Sequence, residues 1–187
     1  MSFEFKPFGK LPDVILIEPK PFYDERGWFS ETYRKSDFVS HGIPFEFPQD
    51  NQSCSTKRGI LRGLHFQKEP TAQGKLVRCL VGEVFDVAVD IRKGSPTYRK
   101  WVSTILSSNN RHMIWIPLGF AHGILTLTDI AEVSYKATSE YSPLYDRVIR
   151  WNDPTIAIEW PYDNPTLSTK DMNAPLLDDV DNNLIYK

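Results

Sequence analysis

The chain has 187 residues, 41% hydrophobic and 25% charged, enough to bury one sizeable core in a single domain. A formal charge of −2 excludes the broad basic surface that nucleic acid or an anionic membrane would need. Two cysteines, Cys54 and Cys79, are too few for a disulfide framework or a zinc cluster, no apolar run reaches about 18 residues, and no signal-peptide core opens the chain, so a cytoplasmic protein with two semi-buried thiols is expected.

In chain order, the first predicted element is an amino-terminal arm, residues 1–21, with a strand at 14–18 built on an apolar run at 14–17. Short segments rich in β-branched and aromatic residues follow at 28–33, 61–67, 75–81, 84–91, 101–106, 112–116, 123–127 and 133–137, a composition suited to strands. The connections Gly82-Glu83, Lys93-Gly94-Ser95-Pro96, Ser107-Ser108-Asn109-Asn110 and Pro117-Leu118-Gly119 are too short for the crossover helices of a parallel sheet. The sheets are therefore expected to be mainly antiparallel. Helix is confined to pieces near 35–40 and 168–177, and residues 1–187 read as one all-β domain, a sandwich or barrel without internal repeats.

Two motifs bring chemistry into this frame. Gly59-Ile60-Leu61-Arg62-Gly63-Leu64-His65, and later Pro117-Leu118-Gly119-Phe120-Ala121-His122, resemble the paired motifs of the cupin superfamily, double-sheet jelly rolls whose strands aim histidines into a barrel mouth. Metal-binding cupins place a second histidine where Gln67 stands here and a glutamate where Lys75 stands. An ammonium does not ligate, and two remaining histidines are too few for a firm transition-metal site, so no metal and no cofactor is expected. A fixed cation beside a neutral histidine suits enolisation instead. His65 would remove a proton next to a ketone, and Lys75 would stabilise the charge growing on oxygen. Epimerisation needs a donor on the opposite face, and Tyr135, alternating with Val133 on one predicted strand, is the candidate.

Asp24-Glu25-Arg26-Gly27, Gln49-Asp50-Asn51, Leu61-Arg62-Gly63-Leu64-His65-Phe66-Gln67, Gln73-Gly74-Lys75-Leu76-Val77-Arg78, Tyr135-Lys136-Ala137-Thr138, Trp151-Asn152-Asp153 and Ser168-Thr169-Lys170-Asp171 together resemble the dTDP-4-dehydrorhamnose 3,5-epimerase family over nearly the whole chain. The resemblance implies a cofactor-free jelly-roll homodimer that inverts C3 and C5 of a dTDP-4-keto-6-deoxy sugar. It implies His65 as proton acceptor paired with Asp171, Tyr135 as proton donor and Lys75 at the enolate oxygen. Substrate binding is implied for Arg26, Glu31, Gln49, Asn51, Arg62, His122 and Lys170, and stacking on thymine for Tyr141. Arg26, Arg62 and Lys170 suit a diphosphate. Asp146 stands where the family shows a glutamate, and its shorter reach questions that contact. The arm 1–21 is expected at the dimer interface.

Plainer readings compete for each residue. His65 and Tyr135 could be satisfied core groups, His122 a packed strand start, and Lys75 and Arg62 solvated edge charges. Ser168-Thr169-Lys170-Asp171 fits a capping box in which Asp171 serves only the backbone, and Asp24-Glu25-Arg26-Gly27 fits a self-paired hairpin turn. His41 and His112 read as surface residues and the five tryptophans as mostly core or interface. A single-carbon epimerase and a non-catalytic sugar-nucleotide-binding cupin stand as the alternatives.

Overall fold

The computed structural model describes residues 2–44 and 46–186. The amino-terminal arm forms strands β1 (Phe3–Phe8) and β2 (Leu11–Pro19), and β3 (Phe22–Asp24) and β4 (Gly27–Phe29) follow as a short separate hairpin. Helix α1 (Lys35–Ser40) leads to β5 (Gln49–Ser55), β6 (Leu61–Gln67), β7 (Lys75–Val81), β8 (Glu83–Asp90) and β9 (Trp101–Ser107). The chain continues through β10 (Met113–Ile116), β11 (Phe120–Thr126), β12 (Ala131–Ala137), β13 (Asp146–Val148) and the single turn of α2 (Thr169–Met172).

These strands assemble into a cupin-type jelly roll. One sheet has the order β1-β2-β10-β7-β12-β5, the other β13-β6-β11-β8-β9, and every pairing between named strands is antiparallel. Inward side chains of both sheets, including Val14, Val77, Cys79, Val84, Ala88, Phe120, Ile124 and Val133, meet in one core. The five-stranded sheet is covered outside as well, where Leu64, Phe66, Val87 and Val89 pack against Ile149, Ile156, Leu177 and Leu184 from the carboxy-terminal segment. Burial on two faces explains why β8 lacks the polar alternation of a half-exposed strand. The six-stranded sheet carries a third cluster, in which Phe38 of α1 and Trp115 of β10 are nearly inaccessible. Removing an aromatic so placed costs about 3–5 kcal/mol.

Several elements differ from the sequence expectation. The run expected at 28–33 is a strand only at Gly27–Phe29, and the helix expected over 168–177 is only Thr169–Met172. Strands β1, β5 and β13 were not expected. Strand β5 reads QDNQSCS, without the apolar residues by which strands are recognised, because its inward positions face polar space. Cys79 is buried but Cys54 is exposed, both as free thiols, which corrects the semi-buried reading for Cys54. Of the two unassigned histidines, His41 is exposed and stacks on Phe5, whereas His112 is half-buried.

One irregularity sets the site. Arg62 pairs with Ile124 and His65 with His122, so two residues of β6 stand opposite one of β11. In a regular strand, residues three apart face opposite ways. The extra residue returns Arg62 and His65 to the same side. Gly63 makes this approach feasible: a Cβ there would lie 2.7 Å from Gly123 Cα and 2.8 Å from the His122 carbonyl oxygen, at a φ of +142°.

Candidate functional site

A pocket opens at the mouth of the barrel between the sheets, lined by Ser53, Arg62, His65, Lys75, His122, Ile124 and Tyr135. Its two walls come from different sheets. His65 and Arg62 of β6 and His122 of β11 belong to the five-stranded wall, whereas Lys75 of β7 and Tyr135 of β12 belong to the six-stranded wall. A flat molecule held between them would present one face to His65 and the other to Tyr135.

His65 is buttressed from the carboxy-terminal segment. Its Nε2 lies 2.5 Å from Asp171 Oδ1, while Asp171 Oδ2 accepts from the Ser168 hydroxyl at 2.8 Å and Ser168 Oγ accepts from the Asp171 amide at 3.1 Å. Asp171 thus sits in the helix start and also faces the histidine. Burial pushes its carboxyl up, but the bonds from His65 and Ser168 outweigh this and hold it below the ordinary carboxylate range. With a proton on Nε2, His65 keeps Nδ1 as an acceptor, the arrangement a general base requires.

Opposite, Lys75 Nζ lies 5.6 Å from the Tyr135 ring centroid. Burial lowers the Lys75 pKa to about 8, against the raising influence of Asp146 and Asp86. The Tyr135 hydroxyl is pushed up by burial and by Asp146, with Arg62 opposing, so it holds its proton at neutral pH. Buried His122 is held below the usual imidazole range by desolvation, which Asp86 only partly offsets, and its Nε2 lies 2.9 Å from Asp86 Oδ2. An imidazole, a cation and a protonated phenol on facing walls can remove a proton from carbon, stabilise an enolate and return a proton to the other face.

Around the mouth, Arg62 donates to Ser55 Oγ and the Cys54 carbonyl, each at 3.2 Å. Asn51 pairs in register with Tyr135, and Gln49 bonds both Asn51 and the Tyr141 amide. Asp146 opens β13, where its Oδ2 accepts from Tyr141 Oη at 3.0 Å and from Lys170. The shorter carboxylate is thus accommodated by a local triad. Gln67, at the place of a metal-binding histidine, donates to the Thr71 and Glu140 carbonyls and accepts from the Ser142 amide at 2.6 Å. It anchors the loop that presents Tyr141.

Of the expected binding residues Arg62 and His122 line this pocket, and two, Arg26 and Glu31, belong neither to its lining nor to the contacts around its mouth. Arg26 is exposed on the β3–β4 hairpin and pairs with Asp24, and Glu31 pairs with Arg34. The self-paired turn is what one chain shows at that position. Sequence reading missed Asp86, which sits completely buried in the apolar run of β8. Its signal was a single carboxylate between Phe85 and Val87.

Comparison with known proteins gives consistent matches. A family model described as dTDP-4-dehydrorhamnose 3,5-epimerase matches residues 9–179. The chain is 56% identical over 173 residues to a protein of that name from Shigella flexneri, covering 92% of this chain and 95% of the relative. It is 57% identical over 170 residues to one from Salmonella typhimurium, covering 90% and 92%. A solved structure of dTDP-6-deoxy-D-glucose-3,5-epimerase from Legionella pneumophila, in complex with dTDP-4-keto-L-rhamnose, superposes with a TM-score of 0.94 at 44% identity and 99% coverage of both chains.

Proposed function

The chain belongs to the dTDP-4-dehydrorhamnose 3,5-epimerase family, and from this premise we propose that it inverts C3 and C5 of dTDP-4-dehydro-6-deoxy-D-glucose, giving dTDP-4-dehydro-L-rhamnose. The observation that carries this reading is the placement of His65 and Tyr135 on facing walls with Lys75 beside the phenol. His65 Nδ1 takes the proton from the carbon next to the C4 ketone, and the bonding pair moves to leave an enolate whose oxygen Lys75 holds. Tyr135 then gives its proton to the opposite face. The imidazolium, steadied by Asp171, loses its proton and the phenolate regains one through solvent before the second carbon reacts. The ammonium supplies the local positive charge, so the reading needs no metal or cofactor.

Substrate binding falls to Arg62, Gln49, Asn51 and His122 near the sugar and diphosphate, and to Tyr141, Asp146 and Lys170 at the nucleotide end. Arg26 and Glu31 fit the same reading if a second copy supplies them, as a homodimer would. Phe22, Tyr23, Trp28 and Phe29 of the hairpin are each more than half exposed, an apolar surface that association would cover. Strands β1 and β2 of the arm end the six-stranded sheet, and the arm 1–21 belongs to the same interface in this proposal. Among the described residues no helix is long and apolar enough to cross a membrane, and the free thiols suit a reducing cytoplasm.

Proton NMR of the 4-keto sugar nucleotide in deuterium oxide tests the function. Deuterium should enter at C3 and C5 with the native protein and at neither with His65→Ala. Exchange at one carbon alone would select a single-carbon epimerase; no exchange with the native protein would select a binding protein.

A further inference from the structure

Asp86 differs from every other buried carboxylate described. Asp90, Asp153 and Asp171 have hydrogen bonds on both oxygens, whereas Asp86 has one, from His122 to Oδ2, and Oδ1 accepts none from any described residue. Yet its side chain is completely inaccessible. An ionised carboxylate so placed is costly unless a cation faces it.

The strand geometry identifies that cation. Asp86 alternates with Val84 and Ala88 on β8, and Lys75 with Val77 and Cys79 on β7, and those four neighbours share the core between the sheets. Asp86 and Lys75 therefore point into the barrel from opposite walls. The other charged or titratable groups facing Lys75 are His65 and Arg62 from β6, His122 from β11, Tyr135 from β12 and Asp146 from β13. Of these, only Asp146 is an acid, and it is already committed to Lys170 and Tyr141.

We infer that Asp86 is a positioning residue for the reaction: its carboxylate, shared with His122 through one oxygen and unshared at the other, keeps Lys75 charged inside the barrel and fixes the His122 proton on Nε2. The Asp146 charge, and after it the Asp86 charge, oppose the desolvation that brings Lys75 to about 8. Without the Asp86 charge, the Lys75 pKa would fall further. The consequence for turnover rests on the epimerase reading, but the pairing itself is measurable without substrate.

Asp86→Asn removes the charge while keeping an oxygen to accept from His122. In protein labelled with carbon-13 at the lysine Cε, the Lys75 resonance, assigned by its loss in Lys75→Met, should titrate about one pH unit lower in Asp86→Asn than in the native protein. The alkaline limb of the kcat profile should move down with it while KM changes little. An unchanged Lys75 midpoint would overturn the inference. Asp86→Glu supplies a second arm that does not depend on the Asn variant folding: with the charge kept, the Lys75 midpoint should stay at its native position, and a midpoint that falls by about one pH unit despite the retained carboxylate would also overturn it. A Lys75 shift in a protein that exchanges neither C3 nor C5 would support the pairing and overturn the epimerase reading instead.

Discussion

Asp171 Oδ1 lies 2.5 Å from His65 Nε2 although 106 residues separate them in the chain. The contact depends on a single helical turn whose N-cap, Ser168, both caps the turn and bonds the same carboxylate. Replacing Asp171 by Asn should leave the fold intact but remove the charge that steadies the imidazolium in the proposed reaction. We expect kcat to fall by about 10²-fold with a small change in KM, checked by steady-state kinetics. Ser168→Ala should cost about 1 kcal/mol of stability and less of kcat.

Lys75 carries the pH dependence of the alkaline side. In the proposed reaction the ammonium holds the enolate oxygen, so kcat should fall as pH rises through about 8. Stability should move the other way. The folded pKa lies below the ordinary 10.5, so between about 8 and 10.5 the unfolded chain binds the extra proton and the native state gains as pH rises. Urea unfolding of the native protein and Lys75→Met at pH 8 and pH 10 checks this: native stability should rise relative to the variant.

Asp153 holds the carboxy-terminal segment against the barrel. Its carboxylate accepts from the Thr155 and Leu177 amides, both at 2.7 Å, and from the Thr155 hydroxyl. Burial raises its pKa, but these bonds outweigh it and hold the group below 3.8. Its contribution is present above that unfolded value and lost as pH falls further. Asp153→Ala should destabilise the protein by about 2–4 kcal/mol at neutral pH, with a smaller difference near pH 3, as read by chemical denaturation.

The Asp146, Tyr141 and Lys170 triad predicts a binding defect rather than a chemical one. Asp146→Ala frees the Tyr141 hydroxyl and the Lys170 ammonium together, so KM for the sugar nucleotide should rise about tenfold while kcat changes less. Calorimetric titration with dTDP should show the same loss.

Association is open to an equally direct check. Trp28→Ser with Phe29→Ser removes apolar surface from the exposed hairpin without touching a core cluster. Sedimentation should show a dimer for the native protein and a monomer for the double variant.

The residues of the pocket were legible because their types are chemically improbable where they stand: a lysine at a metal-ligand position, and a tyrosine on an inward register beside it. The strands were legible where apolar residues accumulate, and β5 was not, because its inward Asn51 and Ser53 face the polar mouth. Asp86 was passed over because hydrophobic patterning reads an acid flanked by Phe85 and Val87 as noise, and only burial reveals it. The bulge at Gly63 was also hidden: a glycine within a strand signals irregularity, but which side chains it redirects depends on the register with β11.

That bulge has a consequence for how freely the protein can change. The spacing between His65 and His122 is held by two bare backbones, Gly63 against Gly123, and not by the fit of one side chain against another. Repacking of neighbouring Leu64 or Trp160 therefore leaves the histidine pair in register, whereas Gly63 cannot be exchanged without moving the β11 backbone; a Cβ at Gly123 would meet only the Leu64 and Trp160 side chains, at 2.8 and 3.0 Å. The hydrophobic interior can drift over many generations while this one crossing of strands stays as a fixed pivot, and a designer seeking a new substrate can rebuild the surrounding walls around it.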